Sequence, residues 1–131
     1  MISIFSSSSQ ISEVMNREDF KKRTKEYALR VIRLVESLPE ERVSRILGDQ
    51  LLRAGTSVGA NYRSSIRAKS RADFISKMNV VEEECDESLY WMELLIAAGK
   101  VAPGRLDALM QEGDEIVSIV VASIKTARSR A

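Results

Sequence analysis

Phe20, Thr24, Tyr27, Val31, Leu34 and Leu38 follow one another at steps of 4, 3, 4, 3 and 4. Residues at that spacing form one stripe along an α-helix, whereas a half-buried strand would need alternation at every second residue. The pattern returns three times. Val43, Ile46, Leu47, Leu51, Ala54, Val58, Tyr62 and Ile66 make a second stripe. Phe74, Met78, Val81, Cys85, Leu89, Met92 and Ile96 make a third, and Leu106, Met110, Gly113, Val117, Val120, Ile124 and Ala127 a fourth. Four such stripes over 131 residues with 6 Gly and 2 Pro leave room for long helices and short links only. The expected fold is all-α: an antiparallel up-down-up-down four-helix bundle occupying residues 17–131. Residues 1–16, with the run Ser6-Ser7-Ser8-Ser9, read as a flexible N-terminal tail.

Local signals set the helix boundaries. The first helix should run from Arg17 to Leu38. Ser37-x-x-Glu40 has the form of a capping box opening the second helix, with Pro39 in its first turn. That helix should end near Lys69. Ser70-x-x-Asp73 resembles a further N-terminal cap for the third helix. Gly99 is a natural stop, and Pro103-Gly104 marks the last turn. Lys125, Arg128 and Arg130 suit the negative end of the final helix dipole.

Composition narrows the chemistry. Apolar residues make up 44% and charged residues 30%, and the formal net charge is +1, so a polyanion could be attracted only by local clustering of cations. There is no His and a single Cys85. That excludes a His-containing catalytic triad, a His-ligated metal centre and an internal disulfide framework. No apolar run approaches a membrane span and the start lacks a signal-peptide pattern, so a cytoplasmic protein without membrane attachment is expected. Cys85 lies on the third apolar stripe between Glu84 and Asp86, where a buried and inert thiol is the default.

The segment Leu51-Leu52-Arg53-Ala54-Gly55-Thr56-Ser57-Val58-Gly59-Ala60-Asn61-Tyr62-Arg63 is unusual for a helix interior. Each Gly there costs about 1 kcal/mol relative to Ala. Gly55 and Gly59 therefore suggest that another backbone or subunit packs close to this turn. Asn61 is expected to fix register through an interhelical hydrogen bond. Gly55-x-x-x-Gly59 is not a phosphate loop, since no Gly-Lys-Ser or Gly-Lys-Thr follows it. Together with Ser70-Arg71-Ala72-Asp73-Phe74-Ile75 and the stretch from Glu82 through Tyr90-Trp91-Met92-Glu93-Leu94-Leu95, this segment resembles the bacterial four-helix-bundle family of 23S ribosomal RNA intervening-sequence proteins. The resemblance covers residues 20–99 and extends to the fourth helix only by pattern. It implies a cyclic homopentamer. It also implies kinship with the accessory variability proteins of diversity-generating retroelements, which look like the same bundle and bind nucleic acid and a reverse transcriptase.

Two charge blocks are the remaining candidates for function. From Arg53 to Lys77, six cations stand against Asp73 alone, and from Glu82 to Glu93 six acids occur with no cation. Arg63, Arg67, Lys69, Arg71 and Lys77 are the candidate nucleic-acid contacts, through phosphates of RNA or DNA. Antiparallel packing would set Arg53 opposite Asp86 and Glu87 as an ion pair. The acids of the third helix read as a solvated face rather than a metal site. Glu82, Glu83 and Glu84 point about 100° apart and do not converge on one ion. Trp91, Leu94 and Leu95 fall beside the main stripe and read as an intersubunit contact, with Gly55, Gly59 and Asn61 as close-packing positions. The expected function is a non-enzymatic oligomeric scaffold that needs no cofactor. The alternative is an adaptor that recruits a protein partner such as a polymerase without touching nucleic acid.

Overall fold

The computed structural model describes residues 16–130, which form four α-helices and no strand. They are α1 (Arg17–Glu36), α2 (Arg42–Ser65), α3 (Arg71–Ala97) and α4 (Asp107–Ser129). The expected tail lies outside the described residues apart from Asn16. Its side chain accepts from the Asp19 amide at 2.8 Å, so Asn16 is the N-cap of α1.

The first and third stripes fold inward almost as spaced. Phe20, Thr24, Tyr27, Val31 and Leu34 are buried on α1, and Phe74, Met78, Val81, Cys85, Leu89 and Met92 on α3. Ser88 and Leu95 join the buried face of α3. The stripe on α4 is wider than expected, since Leu109, Ile116, Ile119 and Ser123 are buried alongside Gly113, Val120, Ile124 and Ala127.

The second helix departs most from expectation. Its buried line is Ser44, Gly48, Leu51, Ala54, Gly55, Val58, Tyr62 and Ser65, while Val43 and Ile46 are about half exposed. Closeness to α1 explains the shift. A Cβ on Gly48 would lie 3.0 Å from Leu38 Cδ1, one on Gly55 2.8 Å from Val31 Cγ1, and one on Gly59 3.2 Å from Thr24 Oγ1. Small residues face α1 because larger ones would not fit, and Val43 and Ile46 are turned outward. As α1 numbers rise in these pairs, α2 numbers fall, so the two helices run in opposite directions.

The expected Ser37-x-x-Glu40 box does not form. The Ser37 hydroxyl donates to Leu34 O at 2.7 Å and closes α1 instead. Glu41 caps α2, accepting from the amides of Val43 and Ser44 and from the Ser44 hydroxyl. Lys100, from the link before α4, holds that carboxylate at 2.7 Å. The Ser70 cap is present as expected: the Asp73 amide donates to Ser70 Oγ at 3.0 Å. Gly99 and Gly104 adopt φ of 76° and 88°, the left-handed conformation that Gly tolerates without strain.

Candidate nucleic-acid interface

The end of α2 and the start of α3 are joined by a tight link. Ser65 Oγ donates to Tyr62 O, and the amides of Ile66, Arg67 and Ala68 donate to Tyr62, Ser64 and Ser65 carbonyls. Asp73 Oδ2 then accepts from the Lys69 amide at 3.0 Å, reciprocating the Ser70 cap. This bond, followed by an ion pair from Lys77 Nζ at 2.9 Å, holds the Asp73 carboxyl below its usual pKa. The link is thus backbone-rigid while Arg67, Lys69 and Arg71 project as exposed side chains.

Five cations were expected to act together here, and the structure sorts them into different places. Lys69 and Arg71 line a groove of about 330 Å³ at this end of the bundle, joined by Arg17 from the start of α1 and Arg130 from just beyond α4. Ser65, Ile66, Ala68, Ser70 and Phe74 complete its walls. Arg63 lies instead on a larger groove of about 660 Å³ between α1 and α2. Lys21, Lys22 and Lys25 share that groove with Glu18 and Asp19, over a floor that includes Ala28, Gly59 and Ala60. Arg67 is exposed on the link and lines neither groove. Lys77 is engaged by Asp73.

Sequence reasoning missed Arg17, Arg130 and the lysines of α1. The first two are distant in sequence and meet because α1 begins where α4 ends. The lysines carry a signal that was available: Lys21 and Lys25 are one turn apart on either side of Thr24, the residue that meets Gly59.

The acidic block behaves as a solvated face with ion pairs. Arg53 reaches Glu84 at 3.2 Å and also bonds Glu87, rather than Asp86. Among the described residues no group of three or more acidic or Cys side chains is placed to hold a metal ion. Cys85 is buried, with its thiol pushed up to about 12 by burial first and then by the Asp86 charge. Its Sγ donates to Gly113 O at 3.4 Å.

The positions singled out for packing also separate. Gly55 and Gly59 make the α1–α2 contact inside one chain. Among the described residues Asn61 makes no interhelical bond; its Nδ2 donates to Ser57 O, 2.8 Å away on its own helix. Thr56 and Ser57 bond back in the same way to Leu52 and Arg53 carbonyls, which satisfies their hydroxyls within their own helix. Leu95 is fully buried in the core of the single chain, so it is not available to a neighbour. Leu94 is half-buried, and Trp91 packs partly against the core while Nε1 points to Glu87 Oε1 at 3.4 Å. Tyr90, 53% exposed, sets its ring edge-on to Trp91 with centroids 5.1 Å apart. Arg53 pairs with Glu84 and Glu87, so two helical turns further along this antiparallel pair Ile46 comes level with Trp91 and Leu94. Val43 and Ile46 on α2 and Tyr90, Trp91 and Leu94 on α3 are thus exposed or half-buried apolar residues toward the same end of the bundle, and of these sequence reasoning singled out Trp91 and Leu94.

Residues 16–122 match the family model for 23S rRNA-intervening sequence proteins. A crystal structure of a protein of unknown function from the S23 ribosomal protein family, from Bacteroides thetaiotaomicron, is 35% identical. It matches with a TM-score of 0.78, covering 83% of this chain and 97% of that one. No curated protein matches this chain significantly.

Proposed function

The chain belongs to the 23S rRNA-intervening sequence protein family, and from that premise we propose that it is a non-enzymatic scaffold that binds nucleic acid as a cyclic homo-oligomer of five copies. In this reading each copy is an up-down-up-down bundle. The observation that carries the nucleic-acid part is the surface distribution of charge. Lys22, Lys25, Arg63, Arg67, Lys69 and Arg71 form no ion pair among the described residues, while Arg23, Arg53, Lys77 and Lys100 are each held by acids. These six lie toward the end of the bundle where α1 and α3 begin, and cations without acidic partners supply phosphate affinity without sequence reading. The exposed and half-buried apolar residues around Ile46 and Trp91 support self-association, since aromatic residues concentrate in protein interfaces.

Light scattering on the eluting protein, with a structured 5′-hydroxyl RNA present at two salt concentrations, tests both parts. Arg63→Gln/Arg67→Gln should weaken RNA binding and flatten its salt dependence by one to two units of log–log slope. Unchanged binding would remove these residues from the interface. Ile46→Glu should reduce the oligomer to smaller species; an unaltered mass would move the subunit contact elsewhere. These apolar residues also favour the adaptor reading, in which a protein partner covers them. Capture of a partner that survives nuclease treatment, with no RNA retained, would select that reading.

A further inference from the structure

We infer that the groove formed by Arg17, Lys69, Arg71 and Arg130 is a specific site for a nucleoside monophosphate, free or as the 5′-phosphorylated end of a strand. The inference rests on the nucleic-acid reading above for its biological setting; the groove shares Lys69 and Arg71 with that surface, whereas Arg63 lies on the other groove.

Four cations from three separate parts of the chain converge on this groove, and among the described residues no acidic side chain lines it. Such a concave, single-sign site focuses positive potential on whatever enters. The Nε atom of Arg17 is inaccessible to solvent and has no hydrogen-bond partner among the described residues. A buried charged donor without an acceptor is costly, and an incoming oxyanion would satisfy it with a charge-assisted bond. The hydroxyl of the fully buried Tyr62 is likewise without a partner. Burial pushes its pKa up, and the nearby Arg17 charge opposes that rise. Both unpartnered polar atoms thus lie in one region of the bundle. α3 opens at the groove, where its Ser70 and Arg71 are lining residues, and the positive end of its dipole favours an anion.

The lining is not only cationic. Ile66, Ala68 and Phe74 present apolar surface between the charges. The volume of about 330 Å³ is at the lower end of small-ligand sites. A bare phosphate would leave that surface uncovered, whereas a flat base and sugar would cover it as Arg and Lys hold the phosphate.

Calorimetric titration at low salt with adenosine monophosphate, adenosine and inorganic phosphate tests the assignment. Adenosine monophosphate should saturate one site per chain, with adenosine at least tenfold weaker. Arg71→Gln and Arg130→Gln alter exposed side chains and should cut that affinity at least tenfold with an unchanged melting curve. Arg17→Gln should do the same if it folds. Lys22→Gln, in the other groove, should leave it intact. Absence of adenosine monophosphate binding, equal binding of adenosine, or indifference to Arg71→Gln and Arg130→Gln would overturn the site. Competition by a short 5′-phosphorylated oligonucleotide, but not by its 5′-hydroxyl form, supports the site and assigns it to strand ends. Saturable binding that neither oligonucleotide displaces supports it as a site for the free mononucleotide. Failure of 5′-hydroxyl RNA to bind would remove the scaffold reading and leave the groove standing.

Discussion

Gly55 shows how one missing methyl sets the distance between two helices. A Cβ there would lie 2.8 Å from both Val31 γ-carbons and 3.1 Å from Val31 Cβ, a branched side chain held close to its own backbone. Gly55→Ala gains about 1 kcal/mol of helix propensity, but overpacking costs about 1–3 kcal/mol, so chemical denaturation should show net destabilisation. Gly59→Ala, with its nearest neighbour at 3.2 Å, should be closer to neutral; the reverse order would refute this account of the contact. Tyr27 is a second decisive residue. The Ser88 hydroxyl donates to Cys85 O at 2.6 Å, so the 2.7 Å contact between Tyr27 and Ser88 has the tyrosine as donor. Tyr27→Phe should cost about 1 kcal/mol in urea unfolding. The thiol of Cys85, buried and titrating near 12, should react with a thiol reagent at neutral pH only as fast as the protein opens. Rapid modification of the native protein would contradict its burial.

Each helix end has its own chemistry, and its stability depends on pH accordingly. Glu41 is held at about 2, well below the usual 4.5, first by the Lys100 ammonium and then by the Ser44 hydroxyl and amide. A depressed carboxyl contributes stability above its unfolded pKa and loses it as pH falls through the folded one. The contribution of the α2 cap should therefore be whole above about 4.5 and vanish toward 2. Lys100→Met should lower the melting temperature already above about 4.5 and make it fall less on acidification across that window, and an identical acid profile would show the bridge to be inert. The contact between α1 and α4 is the least extensive between neighbouring helices, and it relies on Arg23. Its guanidinium bonds Glu112 at 2.6 and 2.9 Å and also reaches Glu115. Those bonds raise its pKa further, and both Arg23 and Glu112 side chains are about four-fifths buried. Arg23→Met should cost about 2 kcal/mol and speed amide hydrogen exchange first in α4. Uniform acceleration across all four helices would show that this contact has no local role.

On the scale of the whole molecule, the groove-lining cations and the exposed apolar residues occupy different regions. The cations that line the two grooves lie between α1 and α2 and at the end where α1 and α3 begin. Val43 and Ile46 lie near the start of α2 and Tyr90 and Trp91 near the end of α3, toward the opposite end. One molecule therefore has room for both a subunit contact and a phosphate contact. Under the scaffold proposal, Ile46→Glu should disturb assembly while leaving the affinity of a single chain for adenosine monophosphate unchanged. Loss of that affinity together with assembly would mean that the two surfaces are coupled.

Helix number and most of the core could be read from residue order alone, because a helix repeats every 3.6 residues and a stripe of Phe20, Tyr27 and Val31 has few other ways to be buried. The Ser70 cap was legible for a similar reason, since its partners are three residues apart. What the stripes do not contain is the distance between helices. The small face of α2 turned inward because α1 comes close, and that moved Val43 and Ile46 to the surface. Glu41 caps α2 in place of Ser37, and Lys100 arrives from another link to hold its carboxylate. Arg17 and Arg130 meet only when the first and last helices lie side by side. Local hydrogen bonding and periodicity are properties of neighbours in the chain; close approach and converging charge are properties of neighbours in space, and only the folded bundle decides those.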